Sequence, residues 1–204
     1  MKLLDVGSGS GKTILTIAEK VKPDGKAVGV DFSPEAVALA KGNAKKSGLD
    51  QVTEFHLAPA TTLPFEDDCF DIVTSECVVC LIPDKQKALN EKVRVLKPGG
   101  RVIMHDVIAK SPMPRIMKES EGLYCGCVGG AVSVEENIAI MKKAGLVNIE
   151  TVDFTWQTGK ASNRAILEQA MEMKDDGDFR EIVDFVRRGG VGYMLFEGTK
   201  PSRH

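Results

Sequence analysis

The chain has 204 residues, 43% hydrophobic and 27% charged, with a net charge of -2; that is the composition of one globular domain with a sizeable core, not of a disordered or fibrous chain. A charge so near zero leaves no footprint for nucleic acid or an anionic membrane, no apolar run approaches the roughly 18 residues of a membrane helix, and no basic start followed by an apolar stretch marks a signal peptide. Its 5 cysteines are an odd count in a chain long enough to fold without covalent staples, so free thiols, a cytoplasmic location and small-molecule partners are expected.

Strand-like and helical patterns alternate from the N-terminus. Leu3 to Val6 reads as a strand, and residues 12 to 21 place Ile14, Ile17, Ala18 and Val21 at helical spacing until Pro23-Asp24-Gly25 breaks the helix. A strand from Ala27 to Asp31 runs into Ser33-Pro34-Glu35: serine to cap, proline for the first helical position, glutamate for the positive helix end. That helix is expected to reach about Lys46 and stop near Gly48. Strands at Val52 to Leu57 and Phe70 to Ser75 flank the loop LPFEDD. Asp84 caps a helix whose inner face is Leu89, Val93 and Leu96, and Lys97-Pro98-Gly99-Gly100 turns the chain into a strand from Arg101 to His105. Ser133 and Glu136 have capping-box spacing at the start of a helix ending near Gly145. Strand-like Val147 to Phe154, a helical stretch over 160–188 and a last strand from Val191 to Phe196 complete the chain. With no repeat, low-complexity segment or linker, this order predicts one α/β domain, doubly wound, with a mostly parallel sheet and helices on both faces.

The chemical signal begins with DVGSGSGKT at residues 5 to 13, a glycine-rich turn between strand and helix. A phosphate-gripping P-loop needs glycine five positions before Gly11, where Val6 stands, and a dinucleotide fingerprint counted from Gly7 and Gly9 needs glycine where Lys12 stands. What remains is Asp5, then Gly7, Gly9 and Gly11, with a second acid, Asp31, ending the next strand.

Taken in order, LDVGSGSG, GVDFSPEAV, LPFEDDCFDIV and RVLKPGGRV resemble a class I S-adenosylmethionine-dependent methyltransferase from Leu3 to about Phe154. The resemblance implies a Rossmann-like sheet of seven strands, with residues 1–110 as the cofactor-binding half and 111–204 as the substrate side. It also implies a cofactor site made of Asp5, Gly7, Ser8, Gly9, Gly11, Asp31, Phe32, Ala60 and Ser75. In it the glycines let the backbone approach the methionine part, Asp5 supports the loop and Asp31 accepts from both ribose hydroxyls. Where the family often carries an acid beside the adenine, this chain has Pro59, Ala60 and Thr61, which leaves those contacts to backbone near Ala60. Enzymes of this class usually carry one or two helices before the first strand; here the strand begins at Lys2, so cap helices are read as missing, with Met1 either an internal methionine or the start of a naturally minimal domain.

Methyl transfer asks mainly for alignment, because the sulfonium is already a strong methyl donor. Substrate identity is therefore sought at strand ends. The motif of amino-directed DNA methyltransferases is absent, and Ser75-Glu76-Cys77-Val78-Val79-Cys80-Leu81, followed by IPDK and later GCVGGAVSVEE, resembles the arsenite methyltransferases. That resemblance implies that Cys127 is one of the thiolates holding trivalent arsenic, a soft acceptor suited to soft ligands. The family's other arsenic-binding cysteines, one nearer the C-terminus and often one before the glycine motif, have no counterparts. Cys125, Cys77 and Cys80 are the thiols that could substitute, Cys125 or Cys77 being taken for the second thiolate, Cys125 because two residues apart in a loop it points the same way as Cys127. A thiol reductant such as glutathione or thioredoxin would regenerate the site.

Cys69 and Cys80 are read as packing, since free cysteine behaves as a small buried apolar side chain. His56 and His105 are read as ordinary hydrogen-bonded histidines, Asp106 as a pocket wall or a cap, and Phe154 and Trp156 as cover for the core edge. Two other functions stay open: methyl transfer to carbon or oxygen of a small organic acceptor such as a quinone precursor, and a non-catalytic module that binds S-adenosylmethionine.

Overall fold

In the computed structural model, which describes residues 1–22, 24–171 and 176–202, the strands are β1 (Lys2–Val6), β2 (Lys26–Asp31), β3 (Thr53–Leu57), β4 (Phe70–Glu76), β5 (Leu96–Ala109), β6 (Val147–Asp153) and β7 (Val191–Thr199). They form one sheet in the order β3-β2-β1-β4-β5-β7-β6. Pairs among the first five strands are parallel, while β7 runs antiparallel to both β5 and β6. The helices are α1 (Lys12–Val21), α2 (Pro34–Lys46), α3 (Lys85–Val95), α4 (Arg115–Glu119), α5 (Glu121–Cys125), α6 (Val134–Lys143), α7 (Thr155–Ala170) and α8 (Asp176–Arg187).

Central strands of a parallel sheet are covered on both faces, and successive side chains alternate between them. Leu3 and Ala27 accordingly join Ile14, Ala18, Val37 and Ala40 under α1 and α2. Leu4 and Val28 pack on the other face with Val73, Leu89, Val93 and Met141 from β4, α3 and α6. A separate cluster joins Val107, Leu123, Ile166, Phe185 and Val191 beneath α5, α7 and α8.

Helix starts follow local chemistry. Ser33 accepts the Ala36 amide at 3.1 Å, with Pro34 first in the helix, and Asp84 accepts the Lys87 amide at 2.9 Å. Ser133 and Glu136 form the reciprocal box at 3.1 and 3.0 Å.

Four expectations need correction. Lys97-Pro98-Gly99-Gly100 lies within β5 as a bulge, with Phe70 paired to Leu96 and Ile72 to Arg101, and the bulge is pinned where the Gly99 amide donates to the Lys200 carbonyl at 2.8 Å and the Lys200 amide to the Gly100 carbonyl at 2.9 Å. The strand also runs on to Ala109 because β7 pairs along it from Thr199 to Val191. The helical stretch over 160–188 is two helices, residues 172–175 lying outside the described set. Because α7 starts at Thr155, Trp156 sits in its first turn, 77% exposed, and does not cover the core edge; Phe154 instead stands edge-on to His105 with ring centres 5.5 Å apart.

The C-terminus of α3 is closed from a distance. The Lys200 ammonium donates to the carbonyls of Val93 at 2.8 Å and Leu96 at 2.6 Å and pairs with Asp68 at 2.7 Å, where a cation complements the negative helix end. Lys200→Met should therefore lower the unfolding free energy by about 1.5–3 kcal/mol, the range for hydrogen bonds to a charged group. Urea denaturation of the two proteins checks this; an unchanged midpoint would mean the contact is dispensable.

Candidate active site

β1 and β4 are neighbours, yet the chain leaves β1 toward β2 on one side while β4 continues to β5 on the other. A crevice opens outside the carboxyl ends of strands at such a reversal, and loops meeting there build ligand sites. The loop after β1 is anchored by Gly7 and Ser8 amides on the Val30 carbonyl at 2.7 and 2.9 Å. The Gly9 amide donates to Asp31 Oδ2 at 2.8 Å and the Ser33 amide to Oδ1 at 3.0 Å. Both Gly7 and Gly9 have positive φ. A Cβ on Gly7 would overlap the Val78 side chain, whereas one on Gly9 would meet nothing within 4 Å. Gly7 thus serves packing of the two loops, and Gly9 leaves open space beside the Asp31 carboxylate. Phe32, 77% exposed, borders the same edge. Ser8 is buried, its hydroxyl packed where a Cβ on Gly29 would stand, Gly11 caps α1 in the left-handed region, and half-buried Ala60 packs on the core beyond β3.

Beneath the crevice lies a group of charges that sequence reasoning missed. Lys92 of α3 is 0% exposed, and its ammonium donates to Ser75 Oγ, so Ser75 faces α3 from within the sheet. The carboxylates of Asp5 and Asp106 complete the surroundings of this ammonium. Burial pushes Asp5 up to about 7, opposed by Lys92 and reinforced by Glu76 and Asp31, and pushes Lys92 down to about 8, opposed by Asp106 and Asp5. Asp5 Oδ1 is buried without a partner. Asp106, also raised by burial, accepts the amides of Val79 at 2.7 Å, Cys80 at 3.4 Å and Val107 at 2.9 Å. The readable signal was a lysine at position 92, one residue from Val93 and three from Leu89, inside the apolar stripe of α3.

The thiols converge at the end of β4. Cys77 has φ +51° and Cys127 φ +67°; the Cys77 amide donates to the His105 carbonyl at 2.9 Å, and Val79–Leu81 form a single 3-10 turn. Cys127 Sγ lies 3.7 Å from the Cys77 carbonyl and within hydrogen-bonding reach of the Cys77 and Cys80 thiols. As a thiol it donates to that carbonyl; as a thiolate it accepts from both neighbours. Hydrogen bonds from Cys77 and then Cys80 outweigh burial and bring Cys127 down to about 3, which favours the second state; the Cys77 and Cys80 thiols are pushed up, first by their bonds to Cys127, then by burial and by Asp106. The glycine pair makes the approach possible: a Cβ on Gly130 would overlap the Cys80 carbonyl. The Tyr124 hydroxyl adds a bond to the Leu81 carbonyl at 3.2 Å.

Cys125 does not lie in the expected loop: it is the last residue of α5 and is exposed, whereas Cys80, read as packing, belongs to the thiol group. Cys69 is partly buried at the opposite end of β4, its amide bonded to the Val95 carbonyl. Among the described residues no group of three or more His, Cys, Asp or Glu is placed so that it could hold a metal ion. His105 stands 3.8 Å from Glu76, with Phe154 and Tyr193 against its ring and Nε2 buried without a partner; His56 sits on the far edge beside Glu54 and Phe65. A cavity of about 950 Å³ lies away from the glycine loop, between the end of β5 and α6, and shares Gly129 and Gly130 with the thiol segment.

Residues 1–170 match the model of a methyltransferase domain. The chain belongs to this methyltransferase family. An arsenite methyltransferase from Halobacterium salinarum is 38% identical over 148 residues, 72% of this chain but 38% of that one. The ubiquinone/menaquinone biosynthesis C-methyltransferase UbiE from Geobacter sulfurreducens is 36% identical over 123 residues, 60% of this chain and 47% of that one. The chain thus spans less than half the length of either relative. A crystal structure of an arsenic(III) S-adenosylmethionine methyltransferase from Chlamydomonas reinhardtii superposes with a TM-score of 0.70 at 24% identity, covering 99% of this chain and 64% of that one. The seven-stranded sheet is the fold of the S-adenosylmethionine-dependent methyltransferases, as the sequence resemblance implied.

The lowered pKa of Cys127, about 3, favours its thiolate at neutral pH. An unperturbed thiol near 8.5 loses reactivity about 80-fold between pH 8 and pH 6, whereas Cys127, near 3, should slow by less than about threefold. Site-resolved alkylation by mass spectrometry, with N-acetylcysteine as reference, checks this. A Cys127 rate that tracks the reference would dissolve the shared-thiolate description.

Proposed function

We propose that this methyltransferase-family chain transfers a methyl group from S-adenosylmethionine to trivalent arsenic held by cysteine thiolates. The observation that carries the reading is the meeting of Cys77, Cys80 and Cys127 at the mouth of the β1–β4 crevice. Supporting it, the Halobacterium salinarum relative is named an arsenite methyltransferase.

The residues fit the cofactor. Gly9 leaves a cradle that a side chain would fill, and each Asp31 oxygen carries one backbone hydrogen bond, leaving lone pairs for two ribose hydroxyls. Phe32 offers an exposed ring to an adenine, with backbone near Ala60 on its other side. Gly7, Ser8 and Gly11 shape the loop from below, and Asp5 and Ser75 act through the charges under it. When bound, the cofactor supplies an electrophilic methyl on a sulfonium. The protein's part is alignment and exclusion of water. On the acceptor side each thiol displaces one hydroxyl of arsenite and releases one water, and the arsenic lone pair becomes the nucleophile. Cys127, whose pKa is lowered, attacks first as the thiolate, and the departing hydroxide takes the proton of a neighbouring thiol to leave as water; Cys77 and Cys80 follow, and the last hydroxide takes its proton from solvent. A small-thiol or thioredoxin-type reductant returns any oxidised cysteine to the thiol state.

A second reading, methyl transfer to carbon or oxygen of a small organic acceptor, is favoured by His105, whose Nε2 has no partner while its Nδ1 faces Glu76; the UbiE relative is of that kind.

Asp31→Ala should weaken S-adenosylmethionine binding by about 1.5–3 kcal/mol, read by calorimetry. Cys127→Ser replaces a soft ligand by a hard one of nearly equal size. It should leave cofactor affinity unchanged and cut arsenite-dependent transfer of labelled methyl, in the presence of glutathione, at least about 100-fold. Full activity in Cys127→Ser, or no arsenite binding by the parent under reducing conditions, would promote the organic-acceptor reading. Cofactor binding without product on either acceptor would point to a non-catalytic binding module.

A further inference from the structure

We infer that Lys92 is a positioning residue for methyl transfer: its buried ammonium bonds Ser75, two residues before Cys77, and its charge favours the Asp106 carboxylate that holds the turn carrying Cys80. The inference rests on that turn being the acceptor site.

Lysine is an expensive choice for this position. Lys92 is 0% exposed and shares its helix face with Ala88, Leu89 and Val93, so leucine or methionine would fill the space without desolvating a charge. An ammonium has three donors and no acceptor. One reaches Ser75 on β4, and the two carboxylates beside the ammonium belong to Asp5 on β1 and Asp106 on β5. Three adjacent strands therefore meet one cation at the level of the crevice floor. Lys92 touches none of the thiols and none of the glycine-loop residues through a hydrogen bond, so its effect on them runs through other side chains.

Asp106 transmits the effect. Its two oxygens accept amides from two places: Val107 on its own strand, and Val79 and Cys80 in the 3-10 turn. A carboxylate that keeps both oxygens as acceptors can hold all three amides; a protonated one surrenders part of that capacity. Lys92 is a positive charge that favours the carboxylate; Lys85, which also feels Asp106, donates to the Cys80 and Ile82 carbonyls at 3.5 and 2.9 Å. Val79 is buried in the core next to Leu89 and Val93, and the neighbouring Val78 covers Gly7, so a shift of this turn displaces both the acceptor thiols and the roof of the glycine loop.

Lys92→Met keeps the length and removes the charge. The expected result is a fall in kcat with arsenite of at least about 30-fold while KM for S-adenosylmethionine changes less than about threefold. With it should come at least tenfold faster alkylation of Cys80 relative to Cys69, which lies at the other end of β4 and reports global opening. Asp106→Asn, nearly isosteric, should shift both readouts in the same direction. Turnover and Cys80 reactivity within twofold of the parent would overturn the inference, as would equal acceleration at Cys80 and Cys69, which marks general destabilisation. Should Lys92→Met be insoluble, Asp106→Asn decides by the same limits. Absence of arsenite turnover in the parent would sink the proposed substrate, and the alkylation ratio would still decide the role of Lys92.

Discussion

The pairing of β1 with β4, Leu3 against Ile72 and Asp5 against Thr74, is the contact on which the site depends. Parallel strands joined through distant parts of the chain bring their carboxyl ends together only if the sheet grows outward from that pair in both directions, which is the order observed. One consequence is steric. With the loops after β1 and β4 side by side, Val78 lies against Gly7, so the first glycine is dictated by a residue far along the chain. The space left over Gly9 is what remains for a ligand.

A second consequence is electrostatic. Asp5, Ser75 and Asp106 belong to three neighbouring strands, and α3 packs across them, so one side chain from α3 bonds Ser75 and sets its charge in the field of both carboxylates. An unpaired carboxylate inside a protein costs several kcal/mol; two of them beneath the crevice call for a cation, and Lys92 is that cation. Such an arrangement adds little net stability against an apolar substitute, and its value lies in fixing one geometry out of several.

How much of this could be read in advance follows from how local each signal is. Ser33, Asp84 and the Ser133–Glu136 box act on amides three residues away, and their helices start where the sequence implied. Strand ends were less legible: β5 is extended to Ala109 by its partner β7, and the bulge over Lys97 to Gly100 is held by Lys200, neither visible in a local pattern. The glycine loop and Asp31 announced themselves by spacing. Cys80 and Lys92 did not, because each sits at a position whose neighbours imply core. Whether a buried cysteine or lysine has chemistry there depends on what the sheet places opposite it. Cys125 erred the other way, since a helix of five residues carries its side chain outward while Gly126 turns the chain so that Cys127 points in.

The backbone at the thiols separates a chemical role from simple packing. Cys77 and Cys127 are two of the four non-glycine residues described with positive φ, a conformation that costs an L-residue roughly 1–2 kcal/mol. The other two, Asp68 and Asn148, are residue types that tolerate it. Packing alone would select glycine or asparagine at 77 and 127, and would leave Cys80 indifferent to both. Instead the strained pair is held from outside, Cys77 through the His105 carbonyl and the Cys127 loop through the approach of Gly130 to Cys80. Strain kept in place by surrounding structure clusters at sites that bind or react. Two cysteines held so, on separate segments and sharing one thiolate with a third, favour a soft, thiophilic substrate over an apolar core as the reason they are there.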